Sequence, residues 1–245
     1  MMNERLRTLR RLFMQTLNLS ERLTHIAAYL PKGAVFADIG SDHAYLPCHV
    51  CKNDRDAFAI AGEVNEGPYL HAKETVQSYH LTHQIDVRLG DGLHILNPNE
   101  VKQIVMSGMG GKLMCDILLE GMDKLGKTDR IIVQPNIGEN ILRKVLSEHH
   151  YELSAEELIE ENGHVYEIII ADKSNHVQPY SKKELLFGPF LSRERTPLFY
   201  KKWKHEYRKR QKIVEQMKKA AIKDEDKMNR YLLELAWIEE VLNHD

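Results

Sequence analysis

The residues of this 245-residue chain best placed for chemistry are carboxylates that stand where apolar runs end. Ala34-Val35-Phe36-Ala37 leads into Asp38-Ile39-Gly40-Ser41-Asp42-His43-Ala44-Tyr45. That pattern reads as a buried strand followed by a sharp turn, where Gly40 lets a ligand approach the backbone. Glu63 closes a second apolar run, Ala57 to Gly62, and lies 23 residues after Gly40. At that spacing an acidic side chain reaches the vicinal hydroxyls of a ribose. Asp91, between Gly90 and Gly92, ends a third run and offers an acceptor to an exocyclic amine, with glycines that let a flat ring lie close. One Asp-Gly is usually an ordinary turn. Acids at three successive strand ends are much less readily an accident of turn composition.

The first turn discriminates among ligands that carry a ribose. A dinucleotide site needs G-x-G-x-x-G, so that a pyrophosphate can sit on the amides of a helix N-terminus. This turn has one glycine, and Asp42 would repel a pyrophosphate. S-adenosylmethionine has no phosphate but carries an ammonium and a sulfonium, which Asp38 and Asp42 can stabilise. An NAD-type oxidoreductase is therefore the weaker alternative among enzymes.

These residues need a scaffold that brings strand ends together. Strands are expected over 34–39, 57–63, 85–89, 103–107 and 130–133, with helices between them and one before them over 18–30, started by Asn18 and Glu21. Two β-rich runs, 151–159 and 164–171, meet at Asn162-Gly163, a hairpin signal. Alternating strands and helices imply a mostly parallel sheet covered on both faces, and the hairpin adds an antiparallel edge. This order is the one found in Rossmann-like, class I methyltransferases, an α/β fold. Beyond Pro179, apolar residues recur at three- and four-residue steps in two stretches separated by Lys223-Asp224-Glu225-Asp226. Two antiparallel, coiled-coil-like helices are expected, with Tyr200, Trp203, Tyr207, Val214 and Met217 buried against Met228, Leu232, Leu235 and Leu242. The division expected is a body over 1–175 and a helical hairpin over 176–245.

Charge is uneven between these parts. Residues 180–219 hold 13 Lys and Arg against four Glu, a net +9, so the rest of the chain carries −11. A basic arm on an acidic body points to a polyanion, because clustered cations gain by releasing the counterions of a phosphate backbone. Lys201, Lys204, Arg208 and Lys212 are the expected RNA contacts. No run is long and apolar enough for a membrane span, the N-terminus lacks a secretory pattern, and three cysteines make no disulfide framework. Cys48-His49-Val50-Cys51 has no second cysteine pair, so metal or redox use is not expected. A cytoplasmic protein is expected, with no metal and no membrane partner, and a monomer is favoured.

Asp38 to Pro47, Gly62 to Pro68, Arg88 to Leu93, Gly108-Met109-Gly110-Gly111 and Gln134-Pro135-Asn136 together resemble the motifs of the bacterial tRNA (adenine-22) N1-methyltransferases, and the likeness spans nearly the whole chain. The resemblance implies S-adenosylmethionine as donor and N1 of a tRNA adenine as acceptor. The cofactor contacts expected are Asp38, Gly40, Ser41, Glu63, Val64, Asn65, Asp91, Gly92, Gly108 and Met109. Strand four ends in Gly-Met-Gly-Gly in place of an Asn-Pro-Pro-Tyr type of sequence, which argues against an exocyclic-amine target. An adenine flipped out of tRNA needs a stacking ring. His43 and Tyr45 are the candidates, with Asn136 to read the base edge and Asp42 beside the transferring methyl. A catalytically silent RNA-binding protein of the same fold is the rival reading outside enzymes.

Overall fold

The structure, a computed structural model, describes residues 17, 19–177, 179–219 and 224–243. Seven strands make one sheet: β1 (Val35–Ile39), β2 (Phe58–Glu63), β3 (Ile85–Leu89), β4 (Gln103–Gly110), β5 (Arg130–Ile137), β6 (Tyr151–Glu161) and β7 (His164–Lys173). Their order is β3-β2-β1-β4-β5-β7-β6. The first five are parallel; β7 runs antiparallel to both β5 and β6. The strand order reverses between β1 and β4, so the crevice beyond their carboxyl ends is where an open α/β sheet takes its ligand.

Apolar residues on both faces of the strands account for the layers. On one face Ile39, Met106, Ile131 and Val133 pack with α4 (Gly111–Glu120) and α5 (Glu139–Glu148) through Leu118, Leu142 and Leu146. On the other, Phe36, Val105 and Ile132 pack with α1 (Glu21–Ala28), α2 (Tyr45–Asn53) and α3 (Glu66–Ser78) through Ile26, Leu46 and Val76. Ser20 caps α1 by accepting from Leu23 N at 3.2 Å. Asn18, expected in that role, lies outside the described residues. Helix α4 ends at Glu120, short of the Lys112 to Leu125 span that the sequence pattern predicts, and a short 3₁₀ turn (Met122–Lys124) follows Gly121. A Cβ on Gly121 would overlap Leu93, so the helix ends where the chain must pass that side chain closely.

After β7 the chain forms α6 (Lys182–Phe187) and α7 (Leu191–Glu194), then the long helices α8 (Pro197–Lys219) and α9 (Glu225–Asn243). Arg210 pairs with Glu234, while Trp203 joins Ile238 and Val241 in one cluster, so α8 and α9 run antiparallel. The buried stripe differs from the expected one. Trp203 and Val214 are buried as expected, but Leu232 is 43% exposed, and Phe199, Ile238 and Val241 take up the core positions. Trp203 packs on Phe187 of α6 at 4.6 Å between ring centroids, so the seam is turned toward the linker helices as well as toward α9. Glu225 and Asp226 are the first turn of α9 and not part of a loop; Asp224 Oδ1 accepts from Lys227 N, while Lys223 is outside the described residues. No described helix is long and apolar enough to cross a membrane.

Candidate active site

The turn after β1 is held by the end of β2. Gly40 N and Ser41 N both donate to Gly62 O, at 2.9 and 3.0 Å. Gly40 has a φ of 69°, a left-handed conformation that favours glycine, and a Cβ there would have to displace the end of the Met109 side chain of β4. Asp42, His43 and Ala44 then follow with φ of 46°, 70° and 59°. Three successive left-handed residues cost roughly 1–2 kcal/mol each. Such strain persists only where the surroundings enforce it. Glu63 does so in part: its carboxylate accepts from His43 N at 3.3 Å.

Asp38 is buried and accepts from Ser41 Oγ at 2.6 Å. Burial pushes its carboxyl up to about 7, with Glu63 and Asp42 adding to the rise and the Ser41 hydroxyl opposing it. Glu63 is raised as well, chiefly by burial. Asp38, Glu63 and Asp91 have no Lys or Arg partner among the described residues, and Asp42 meets only His43, 3.4 Å away. Asp91 is exposed at the mouth, beside Gly92 with its φ of 50°. Val64 and Asn65 are exposed between β2 and α3. Three acids thus stand at one end of the sheet with no compensating Lys or Arg among the described residues. The site suits a ligand that brings cations and hydroxyls, as the ammonium, sulfonium and ribose of S-adenosylmethionine do.

On the far side of β1 the expected glycine turn is part of the sheet. β4 continues through Gly108 and Met109 to Gly110, paired with β5 through register shifts around Met109, and α4 begins at once at Gly111. Gly108, with a φ of 76°, takes the irregular position, as a bulge beside a site commonly does. Asn136 Nδ2 donates to Gly108 O at 2.7 Å, which ties the expected edge reader to this bulge. Gln134, fully buried, was assigned no role from sequence. Its Oε1 accepts from Ser107 Oγ, Gly108 N and Arg22 Nη1, so it fixes the bulge and joins it to α1.

His43 meets Tyr45 and His71 edge-on, at 5.7 and 5.3 Å between centroids, and Tyr45 is 43% exposed. His71 is an addition that no sequence spacing marked. Asn136 and Tyr166 open onto a groove of about 630 Å³ that continues to Lys202, Lys209, Arg210 and Tyr231 of the arm. Of the cations expected to meet RNA, Lys204, Arg208 and Lys212 are exposed along one stripe of α8 and have no ion-pair partner among the described residues. Lys201 differs, because its ammonium lies 2.5 Å from Glu160. Cys48 and Cys51 are buried, and burial pushes both thiols up to about 12, so they pack as neutral groups.

Comparison with known proteins adds to this geometry. A family model described as tRNA (adenine(22)-N(1))-methyltransferase, TrmK, matches residues 36–236. The tRNA (adenine(22)-N(1))-methyltransferase of Bacillus subtilis is 42% identical over 239 residues, covering 94% of this chain and all of that protein. A Streptococcus pneumoniae protein solved with S-adenosyl-L-methionine superimposes with a TM-score of 0.83 at 37% identity, covering 92% of this chain and 100% of that one. M. capricolum TrmK, solved with S-adenosyl-homocysteine, gives a TM-score of 0.77 at 26% identity, over 92% of this chain and 98% of that one.

Proposed function

This chain belongs to the tRNA (adenine(22)-N(1))-methyltransferase family and transfers methyl from S-adenosylmethionine to N1 of a tRNA adenine; we propose that adenine 22 is its target and that the unpaired strand-end carboxylates hold the cofactor. The observation that carries the assignment of residues is that Asp38, Glu63 and Asp91 stand at the ends of three adjacent strands with no Lys or Arg partner among the described residues. Asp38 faces the ammonium, Glu63 the ribose hydroxyls and Asp91 the exocyclic amine. Gly40, Ser41, Val64, Asn65, Gly92, Gly108 and Met109 line the remainder.

S-adenosylmethionine, when bound, supplies the methyl group on a sulfonium. Adenine N1 carries an in-plane lone pair, so no proton has to be removed before attack. The chain's work is then positioning and charge stabilisation, which together can lower a barrier by roughly 7 kcal/mol or more. Asp42 stands beside the methyl and stabilises positive charge as it passes to the base. His43 and Tyr45 offer the stacking surface, and Asn136, steadied on Gly108, reads the edge.

The arm, taken as a unit from about residue 176, grips the tRNA backbone through Lys204, Arg208 and Lys212. Shape and phosphate contacts are the expected mode, since the deep major groove of RNA is closed to side chains. Lys201 joins them only if RNA displaces Glu160. A tRNA substrate is consistent with a cytoplasmic enzyme, and a monomer is favoured. Titration calorimetry tests the cofactor assignment: Glu63→Ala and Asp91→Ala should each weaken S-adenosylmethionine binding by about 1.5–3 kcal/mol, the worth of a hydrogen bond to a charged group. Unchanged affinity in both variants would overturn it.

A further inference from the structure

Arg22 is a cation at the acceptor side of the crevice that no motif marks. It lies in the first turn of α1, 112 residues in sequence from Gln134, to which it donates. Its Nη1 donates to Gln134 Oε1 at 2.9 Å, the same oxygen that accepts from Gly108 N at 3.1 Å. Its guanidinium lies 4.6 Å from the centre of the Tyr166 ring, and Tyr166 lines the groove with Asn136. The Glu161 carboxylate is 4.0 Å from Nε, too far for a hydrogen bond, and Nε has no partner among the described residues. The side chain is 22% exposed. Arg22 is therefore held in plane by a ring and at one corner by an amide; its Nε is buried, and Nη2 is left without a hydrogen bond among the described residues.

We propose that Arg22 binds the backbone phosphate next to the flipped adenine. The inference rests on the proposed reading of Asn136, tied to the Gly108 bulge, as the reader of the adenine edge. An arginine fork matches the geometry of a phosphate, and stacking fixes its plane in advance. The base itself is the wrong partner, since methylation at N1 leaves it positively charged and a guanidinium against it would repel the product. A flipped nucleotide brings its phosphate to the rim of the pocket; the partly exposed Arg22 stacks on Tyr166, which lines the groove, and the buried Gln134 holds its other side.

The full-length chain and a tRNA transcript test this by binding and by turnover. Arg22→Gln should raise the KM for tRNA about tenfold with kcat within twofold, as loss of uniform binding does. It should lower the slope of log affinity against log salt by about 0.7–0.9, the share of one phosphate. Affinity for S-adenosylmethionine should stay within twofold of the parent, and Arg22→Lys should restore the slope. A wild-type slope in Arg22→Gln overturns the proposal. So does a lowered melting temperature in both variants with no change of slope, since Arg22 would then only tether α1. If the parent enzyme binds tRNA with a slope that Arg22→Gln reduces, yet transfers no methyl, the phosphate contact stands and the reading of the pocket falls.

Discussion

On the proposed assignment of Asp38 to the cofactor's ammonium, cofactor binding is expected to be sensitive to pH. Its carboxyl is pushed up to about 7 by burial, so in the cofactor-free protein it carries a proton through mildly acidic conditions. A folded-state value above the unfolded one means that its contribution to stability is fully present below about pH 4 and is lost as pH rises through about 7. A cation in the site reverses the preference, because it needs the carboxylate. Affinity for S-adenosylmethionine is therefore expected to rise with pH from 5 to about 7, by up to about tenfold per unit, and then level off. Calorimetry across that range checks this, with Asp38→Asn giving weaker binding and a flat profile; an equally steep rise in the variant would remove Asp38 from the linkage. Asp38, Gly40, Glu63 and Asp91 were legible in the sequence because each sits where an apolar run ends. Arg22, Gln134 and His71 were not, since each gains its meaning from a partner on another element, brought near only by the folded sheet.

At the scale of elements, the order of strands and helices and the closing hairpin followed from periodicity and turn residues. The ends of β4 and β5 did not. Gly108-Met109-Gly110 and Gln134-Pro135-Asn136 look like turns, yet both strands extend through them, because each supplies the other's pairing partner, and Gly111 already begins α4. The junction is tight: a Cβ on Gly111 would stand 2.6 Å from Gly138 O and 2.7 Å from Ile137 O. Those are backbone atoms between the end of β5 and the start of α5, and they cannot swing aside as a side chain could. Gly111→Ala should therefore destabilise the protein by about 1–3 kcal/mol, the usual penalty of overpacking. In a chain of this size that lowers the melting temperature by roughly 2–4 °C per kcal/mol. Calorimetric melting decides it, and an unchanged midpoint would show that the α4 and β5 ends are looser than this packing implies.

At the scale of the whole molecule, the arm is joined to the body by a buried ionic network rather than by a hinge of glycines. Arg143, fully buried in α5, donates to Glu156 of β6, to Glu167 of β7 and, at 2.9 Å, to Leu185 O of α6. Glu156 in turn accepts from Phe190 N before α7. Lys202 of α8 lies 2.5 Å from Glu167 and 2.6 Å from Glu139, three residues beyond Asn136. Removing one member of such a set leaves a buried charge unpaired, at a cost of about 3–5 kcal/mol. The basic stripe of α8 is thus held at a fixed orientation to the crevice. The surplus of positive charge in residues 180–219 was visible from composition, but Lys183, Lys201, Lys202, Lys209 and Arg210 are engaged by carboxylates, so a count of cations overstates those free to meet RNA. One measurement tests the central claim directly: the purified full-length chain is incubated with S-adenosylmethionine and a tRNA transcript bearing adenine 22, and the RNA is digested to nucleosides and resolved by mass spectrometry. About one N1-methyladenosine per tRNA, lost when guanine replaces adenine 22, is the expected result; methylation at the exocyclic N6, or equal incorporation into the substituted transcript, would contradict it.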